Sequence, residues 1–409
     1  MPALPWALPF AGLLLAIAVL PLTAPHFWES NRRKLAVAGA LALPVLLLYL
    51  RAHPQALAHT ALEYASFMVL LGGLFVISGG VVLEGDLEAT TRTNALLLGT
   101  GALVASFVGT TGASMLLIRP LLQTNRERKH VAHTVVFFIF LVSNIGGCLT
   151  PLGDPPLFLG YLNGVPFTWT FRLALPWLFT VALVLAAYVA WDRRALARET
   201  QSDLRRDRLE VRPLRMTGKE NALLLAGVLA AVAFLHAPWR EGVIVALALA
   251  SYRQTDPALH EVNRFTFQPI LEVAALFAGI FVTMLPALDI LKARGSELGV
   301  REPWQFFWAT GALSSFLDNA PTYLTFLALA KGLGLAPEVA GVPHEILAAI
   351  SLGAVFMGAN TYIGNGPNFM VRAIAEEHGV KMPSFGGYML YSSAVLLPIF
   401  VIVTLVFFR

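Results

Sequence analysis

The sequence predicts an all-α, polytopic membrane protein made of two inverted repeats, each with five transmembrane helices and one re-entrant hairpin. Three observations carry that prediction. Only 13% of the 409 residues are charged and 57% are hydrophobic, whereas a soluble domain carries roughly 25% charged residues. Apolar runs recur along the whole chain, with the basic residues gathered between them. A set of small and polar motifs occurs twice at a nearly constant offset.

A span needs about 20 mostly apolar residues to cross a hydrocarbon core of roughly 30 Å. Runs at 5–24, 35–50, 64–83, 131–160, 174–191, 221–238, 242–250 with its flanks, 267–290, 346–372 and 386–408 are candidates. They leave no room for a separate catalytic domain. The first run has no Lys or Arg before it and no small-residue cleavage site before His26, so it reads as a retained span rather than a signal peptide.

Charge sets the orientation. The polar stretch 192–220 carries nine Lys or Arg against six acids, so it is expected to be a cytoplasmic basic linker. It divides the chain into a first repeat, 1–191, and a second, 221–409. Counting outward places 31–34, 84–94, 119–130, 251–264 and 373–385 inside. Loops 51–63, 161–173, 239–241, 291–303 and 331–345 fall outside with both termini. With Arg119 and Arg372 grouped with the cytoplasmic ends they adjoin, 21 of the 29 Lys and Arg lie inside and 8 outside. That balance holds only if the apolar segments 95–118 and 304–330 each enter and leave on one side. Both are therefore expected as re-entrant hairpins, 95–118 facing the cytoplasm and 304–330 the outside. Arms of ten to twelve residues reach about 15–18 Å, which puts the tips near the bilayer midplane.

The duplication is legible residue by residue. Gly101-Ala102-Leu103 recurs as Gly311-Ala312-Leu313, and Ser106-Phe107-Val108 as Ser315-Phe316-Leu317. Leu152-Gly153-Asp154-Pro155-Pro156 aligns with Ile363-Gly364-Asn365-Gly366-Pro367, at offsets of 209 to 211 residues throughout. Five spans and a hairpin stand on each side of the linker, and the second set points the opposite way. Many secondary transporters are built from such inverted repeats.

Four interrupted motifs fall at membrane depth. The first hairpin tip is Gly109-Thr110-Thr111-Gly112-Ala113-Ser114. The first broken span runs from Ser143 through Asn144, Gly146, Gly147, Thr150, Gly153, Asp154 and Pro155 to Pro156. The second tip is Asp318-Asn319-Ala320-Pro321-Thr322. The second broken span holds Asn360, Thr361, Gly364, Asn365, Gly366, Pro367 and Asn368. Non-helical backbone in lipid leaves polar groups unpaired at several kcal/mol each, so it persists only when buried in protein or lining a wet cavity. Freed carbonyls with Thr and Asn oxygens suit Na⁺, while half-helix N-termini favour an anion.

Of 25 acids, four fall within span limits: Asp154, Glu272, Asp289 and Asp318. A carboxylate at the bilayer centre costs at least ~2.5–3.5 kcal/mol and needs a partner or a function. Asp154 and Asp318 lie inside the motifs, whereas Glu272 and Asp289 read as interfacial. Arg119 and Arg372 read as snorkelling residues near helix ends. Cys148 is the only cysteine, so no intramolecular disulfide or thiolate metal site is available. The nine histidines show no ligand-like spacing and read as loop and interface residues. The basic residues mark topology, not a nucleic-acid patch. No nucleophile–base pair, phosphate loop or metal cluster points to an enzyme, and paired hairpins would block the through-path of a channel.

The segments Asn144-Ile-Gly-Gly-Cys-Leu-Thr-Pro-Leu-Gly-Asp-Pro-Pro and Phe316-Leu-Asp-Asn-Ala-Pro-Thr resemble the ion-transporter superfamily. That group includes sodium/proton antiporters, citrate and dicarboxylate carriers and arsenite-type exporters. The likeness covers nearly the whole chain and is greatest to the sodium/proton antiporter branch and to citrate-transporter-like sequences. It implies two hairpins facing two unwound spans around a central site, an elevator-like movement, a multi-pass place in the bacterial inner membrane and often a homodimer. The dicarboxylate carriers' paired Ser-Asn-Thr signatures are replaced here by Thr110-Thr111-Gly112 and Asp318-Asn319-Ala320. The expected activity is Na⁺/H⁺ antiport, with Na⁺ and H⁺ as coupling ions and no other cofactor. Asp154 and Asp318 would be the titrating carboxylates, and a Na⁺ site is expected at Asn144, Thr110, Asp318 and Asn319. The alternatives are Na⁺- or H⁺-coupled citrate or dicarboxylate transport and, behind it, metalloid oxyanion efflux.

Overall fold

The computed structural model describes residues 2–409. The first half holds α1 (Leu8–Thr23), α2 (Asn31–Ala52) and α3 (Pro54–Gly79), then a hairpin of α4 (Thr91–Val108) and α5 (Thr110–Thr124). An interrupted pair follows, α6 (Ala132–Leu141) and α7 (Pro155–Leu162), and then α8 (Ala174–Leu196). Between the halves lies a short helix, α9 (Gln201–Leu209). The second half repeats the order: α10 (Lys219–Phe234), α11 (Trp239–Gln254), α12 (Gln268–Arg294), a hairpin of α13 (Pro303–Ser314) and α14 (Asn319–Gly332), an interrupted pair α15 (His344–Met357) and α16 (Gly366–Glu377), and α17 (Phe385–Phe407). Six helical stretches among the described residues are long and apolar enough to cross a membrane.

Several of the helix contacts recur when the halves are exchanged. Helix α2 packs on α12 as α11 packs on α3, and α1 on α12 as α10 on α3. The hairpin arm α5 rests on α16, and its counterpart α14 rests on α7. Helices α3 and α12 meet each other at the centre, as do α8 and α17 at the periphery.

Several boundaries differ from those read in the sequence. The loop expected at 51–63 is almost entirely helical, because α2 and α3 join at His53. Hydropathy marks the lipid-crossing part of a helix and not its polar ends, and Pro54 opens α3 where a missing N–H costs nothing. The first hairpin is longer than 95–118: Thr90 caps α4 by accepting from Thr93 N at 3.1 Å, and α4 and α5 have 18 and 15 residues. The fold is all-α as expected but for one small two-stranded sheet. Strands β1 (Val82–Asp86) and β2 (Arg212–Thr217) pair antiparallel, so 192–220 is a folded element rather than a plain linker. Pro213 and the flanking charges hide β2 from a periodicity reading.

Polar cross-links tie the connecting segments into two separate sets. One joins 84–94, 119–130, 192–220, 251–264 and 373–385. Its members include Arg208–Glu88 at 3.0 Å, Lys129–Asp203 at 3.2 Å, Arg119 Nη2 to Asn263 O at 3.1 Å and Arg264–Glu377 at 2.5 Å. The other joins the opposite ends, through Asn163 to Glu63 at 3.2 Å and Trp169 to His344 at 3.1 Å.

Two expectations about charged residues fail. His133 is not in a loop but in the first turn of α6, and Asp192 is not part of the polar linker but lies within α8; both are buried. Asp192 accepts from Arg128 Nη2 at 2.6 Å and Thr91 Oγ1 at 2.6 Å, and its Oδ1 lies 2.8 Å from His133 Nε2. This cluster fastens the base of the first hairpin to α6 and α8. Glu272 and Asp289 are partnered within the bundle, by Lys34 at 2.6 Å and by the Tyr49 hydroxyl at 2.7 Å.

Candidate functional site

The two interrupted spans break in the same way. In the first, Thr150 Oγ1 donates to Ser106 O, Ser106 Oγ donates to Gly146 O, and Leu152 N donates back to Thr150 Oγ1 at 3.1 Å. In the second, Thr361 Oγ1 donates to Ser315 O, Ser315 Oγ donates to Met357 O at 3.1 Å, and Ile363 N donates to Thr361 Oγ1 at 3.2 Å. Each hairpin thus supplies a serine that satisfies the carbonyls freed by the break, as buried backbone requires. Gly153 crosses Gly147 so closely that a Cβ on Gly147 would lie 3.0 Å from Gly153 O; Gly364 makes the same crossing over Gly358. Asp154 and Asn365 follow these crossings at equivalent positions, with φ/ψ of −147°/145° and −154°/143°.

The hairpin tips bring two further equivalent residues to the same point. At the first, Gly109 turns the chain with φ +84°, which only glycine adopts without strain, and Thr110 opens α5. At the second, Asn319 opens α14.

All four motifs meet at Asp154, which is 1% exposed. Its Oδ1 accepts from Thr110 Oγ1 at 2.7 Å and from Asn365 Nδ2 at 3.1 Å, and its Oδ2 accepts from Asn319 Nδ2 at 2.5 Å. Thr110 and Asn319 come from the two tips, Asn365 from the second broken span, and Asp154 from the first. Although Asp154 occupies the N-cap position of α7, its side chain makes no capping bond. Every one of its side-chain partners is neutral. A carboxylate buried among neutral donors has its hydrogen bonds satisfied but not its charge.

Around this centre lie acceptor oxygens with no partner: Asn144 Oδ1, Asn319 Oδ1 and Asn360 Oδ1 are each buried and unpaired among the described residues. Asn144 Nδ2 donates to Asn368 Oδ1 at 2.8 Å, and Asn368 Nδ2 donates to Gly358 O and Thr361 O, both at 2.9 Å. Asn360 Nδ2 donates to Ser315 Oγ at 2.9 Å. A cavity of about 90 Å³ reaches Thr110, Thr111, Gly112 and Asp154 between α3 and the start of α12.

Other expected site residues fall elsewhere. Asp318 Oδ1 accepts from Ala320 N at 3.0 Å, so this carboxylate caps α14 and stands outside the Asp154 network. Pro321 lies in the first turn of α14, as Pro155 and Pro367 do in α7 and α16. Gly146 packs against Ala102, whereas a side chain on Gly366 would meet open space, so no steric need explains that glycine. Ser106 and Ser315, read in the sequence only as a repeated pair, bond the two breaks, and Ser114 and Ser143, members of the first tip and the first broken span, lie 2.7 Å apart. The recurrence of Ser106 at Ser315 aligned the halves without showing what either hydroxyl bonds.

A family model described as "Putative citrate transport" matches residues 1–408. The chain belongs to this family. As a family member with six apolar membrane-length helices, it is a multi-pass membrane protein of a transport family. It is also similar to the P proteins of mouse, pig and human, each 29% identical over 150 residues, or 34% of this chain. The matched stretch spans only 17% of the length of each P protein.

Proposed function

We propose that the chain is a secondary transporter that exchanges Na⁺ for H⁺, with Asp154 as the group that binds proton and cation in turn. The convergence of four interrupted motifs on one carboxylate with neutral donors carries this reading. With no cationic partner, Asp154 is balanced only by a proton or a bound cation, and the two exclude each other. The unpaired oxygens of Asn144 and Asn319 are hard ligands suited to complete a Na⁺ site beside Thr110. A cavity of about 90 Å³ suits a small ion and a few waters.

The contacts that recur on exchange of the halves support an inverted repeat, with both hairpins re-entrant and the site at the midplane. Cross-linking of the basic segments into a single set supports a cytoplasmic 192–220 and a plasma-membrane protein with positive residues inside. Alternating access would move each hairpin with its interrupted span, to which it is already bonded, against α3 and α12.

The family's description favours a second reading, cation-coupled uptake of citrate. There the half-helix starts at Pro155 and Gly366 would face carboxylates while Asp154 held the coupling ion. Flux in proteoliposomes against Na⁺, Li⁺, K⁺, citrate and arsenite separates the readings. Na⁺-driven proton movement without citrate supports exchange, whereas labelled citrate entry that requires Na⁺ or a proton gradient supports the second.

A further inference from the structure

A second cavity, of about 570 Å³, lies on the face that carries the 192–220 segment, away from Asp154. Its walls come from β1, β2, α5, the turn at Asn263 and the end of α16. Three guanidinium groups line it: Arg119 from α5, and Arg212 and Arg215 from β2. The acids on the wall are Glu84 and Asp86 of β1, and buried Asp86 already accepts from Gln123 Nε2 at 3.1 Å. His378 closes one end, its Nδ1 2.7 Å from Ile374 O.

Arg119 is the residue that needs explaining. It is partly buried; Nη2 donates to Asn263 O at 3.1 Å, while Nη1 is buried with no partner among the described residues. Glu377, whose charge acts on Arg119, is held in an ion pair by Arg264 at 2.5 Å. Buried polar groups in native proteins nearly all find partners, and an idle charged donor is especially costly. Snorkelling accounts for a guanidinium that reaches water, not for one with a desolvated, unpaired nitrogen at a cavity wall. A guanidinium's planar fork matches the oxygens of a carboxylate or phosphate, and the exposed Arg212 and Arg215 would draw an anion inward.

We propose that this cavity binds a small oxyanion, a phosphate or carboxylate group, gripped by Arg119 with Arg212 and Arg215 at its mouth. The position gives the site a consequence. Arg119 lies nine residues after Thr110 on α5, about 13 Å along the helix, and Thr110 is bonded to Asp154. An occupant therefore joins the arm of the first hairpin to the β1–β2 sheet, and its binding opposes movement of that hairpin.

The full chain in nanodiscs of neutral phosphatidylcholine would be titrated calorimetrically with inorganic phosphate and with citrate. A parallel arm adds phosphatidylglycerol and follows thermal stability. Saturable binding in the first arm identifies a soluble anion; stabilisation only in the second identifies a lipid headgroup. Either supports the site provided that Arg119→Gln weakens it by about ten- to hundredfold, the value of a charge-assisted contact. Arg215→Gln, on the exposed strand, should weaken it severalfold and serves if Arg119→Gln does not fold. Asp154→Asn should keep wild-type affinity here, which separates this site from the central one. Absence of binding and of stabilisation in both arms would overturn the proposal. So would unchanged affinity in the folded arginine variants, or loss of binding in Asp154→Asn.

Discussion

Replacing Asp154 by Asn removes the central charge while leaving a route for every hydrogen bond to be repaired. The carboxylate accepts from Thr110 and Asn365 on one oxygen and from Asn319 on the other. An amide oxygen at position 154 can keep the first two donors, but its NH₂ then opposes the Asn319 NH₂. Asn319 Oδ1 is buried and unpaired, so a half-turn of that amide presents an acceptor and restores the contact. Three bonds to a charged group, worth about 1.5–3 kcal/mol each, become neutral bonds of about 0.5–1.5 kcal/mol. That loss is offset by relief of the desolvation penalty of a buried carboxylate, several kcal/mol per ion. The net change in folding stability is expected to stay within about 2 kcal/mol, whereas exchange should vanish. The assay is uptake of radiolabelled sodium into acid-loaded proteoliposomes, with thermal unfolding measured on the same preparation. Wild-type uptake in Asp154→Asn would refute the role assigned to the charge, and a variant that cannot fold would refute the repair.

Three further outcomes follow from the same geometry. In Gly147→Ala the new Cβ would lie 2.8 Å from Thr110 Cγ2 and 2.9 Å from Asp154 Cβ, so uptake should fail, with about 1–3 kcal/mol lost to overpacking on unfolding. Asp192→Ala strands buried Arg128 and should cost about 3–5 kcal/mol, read as a lowered melting temperature in detergent. In the linker, burial pushes the Asp207 carboxyl from 3.8 up to about 6, with Glu127, Glu88 and Asp86 adding to the rise. The native state then holds this proton to higher pH than the unfolded chain. Its stabilising contribution is full below about pH 4 and is lost as pH rises through about 6. Melting temperatures of wild type relative to Asp207→Asn should fall across that window; a flat difference would contradict the assignment.

Much of the site was legible because its residues violate membrane rules. Asp154, the paired glycines and the tip residues Thr110 and Asn319 stand out as polar or helix-breaking positions in apolar runs, and their recurrence aligned the halves. The ranking of Asp154 against Asp318 was not legible. Both residues precede a helix start, and spacing does not say whether a side chain caps its own helix, as Asp318 does, or turns across to another segment. Ser106 and Ser315 were visible as a repeated pair, but their role at the breaks was not, because a serine in an apolar helix ordinarily bonds its own preceding turn. Asp192, Arg128 and His133 lie at the ends of apolar runs, where charges are unremarkable, and only folding brings them together. The β1–β2 pair is short, charged and contains Pro213, so no alternation announces it.

A single reading of internal pH tests most directly whether one buried carboxylate held by neutral donors alternates between proton and cation. Wild-type proteoliposomes carrying a trapped pH-sensitive dye, with no citrate on either side, would receive a pulse of external Na⁺. Exchange at Asp154 predicts prompt alkalinisation of the lumen as protons leave. A lumen whose pH ignores Na⁺ until citrate is supplied would contradict it.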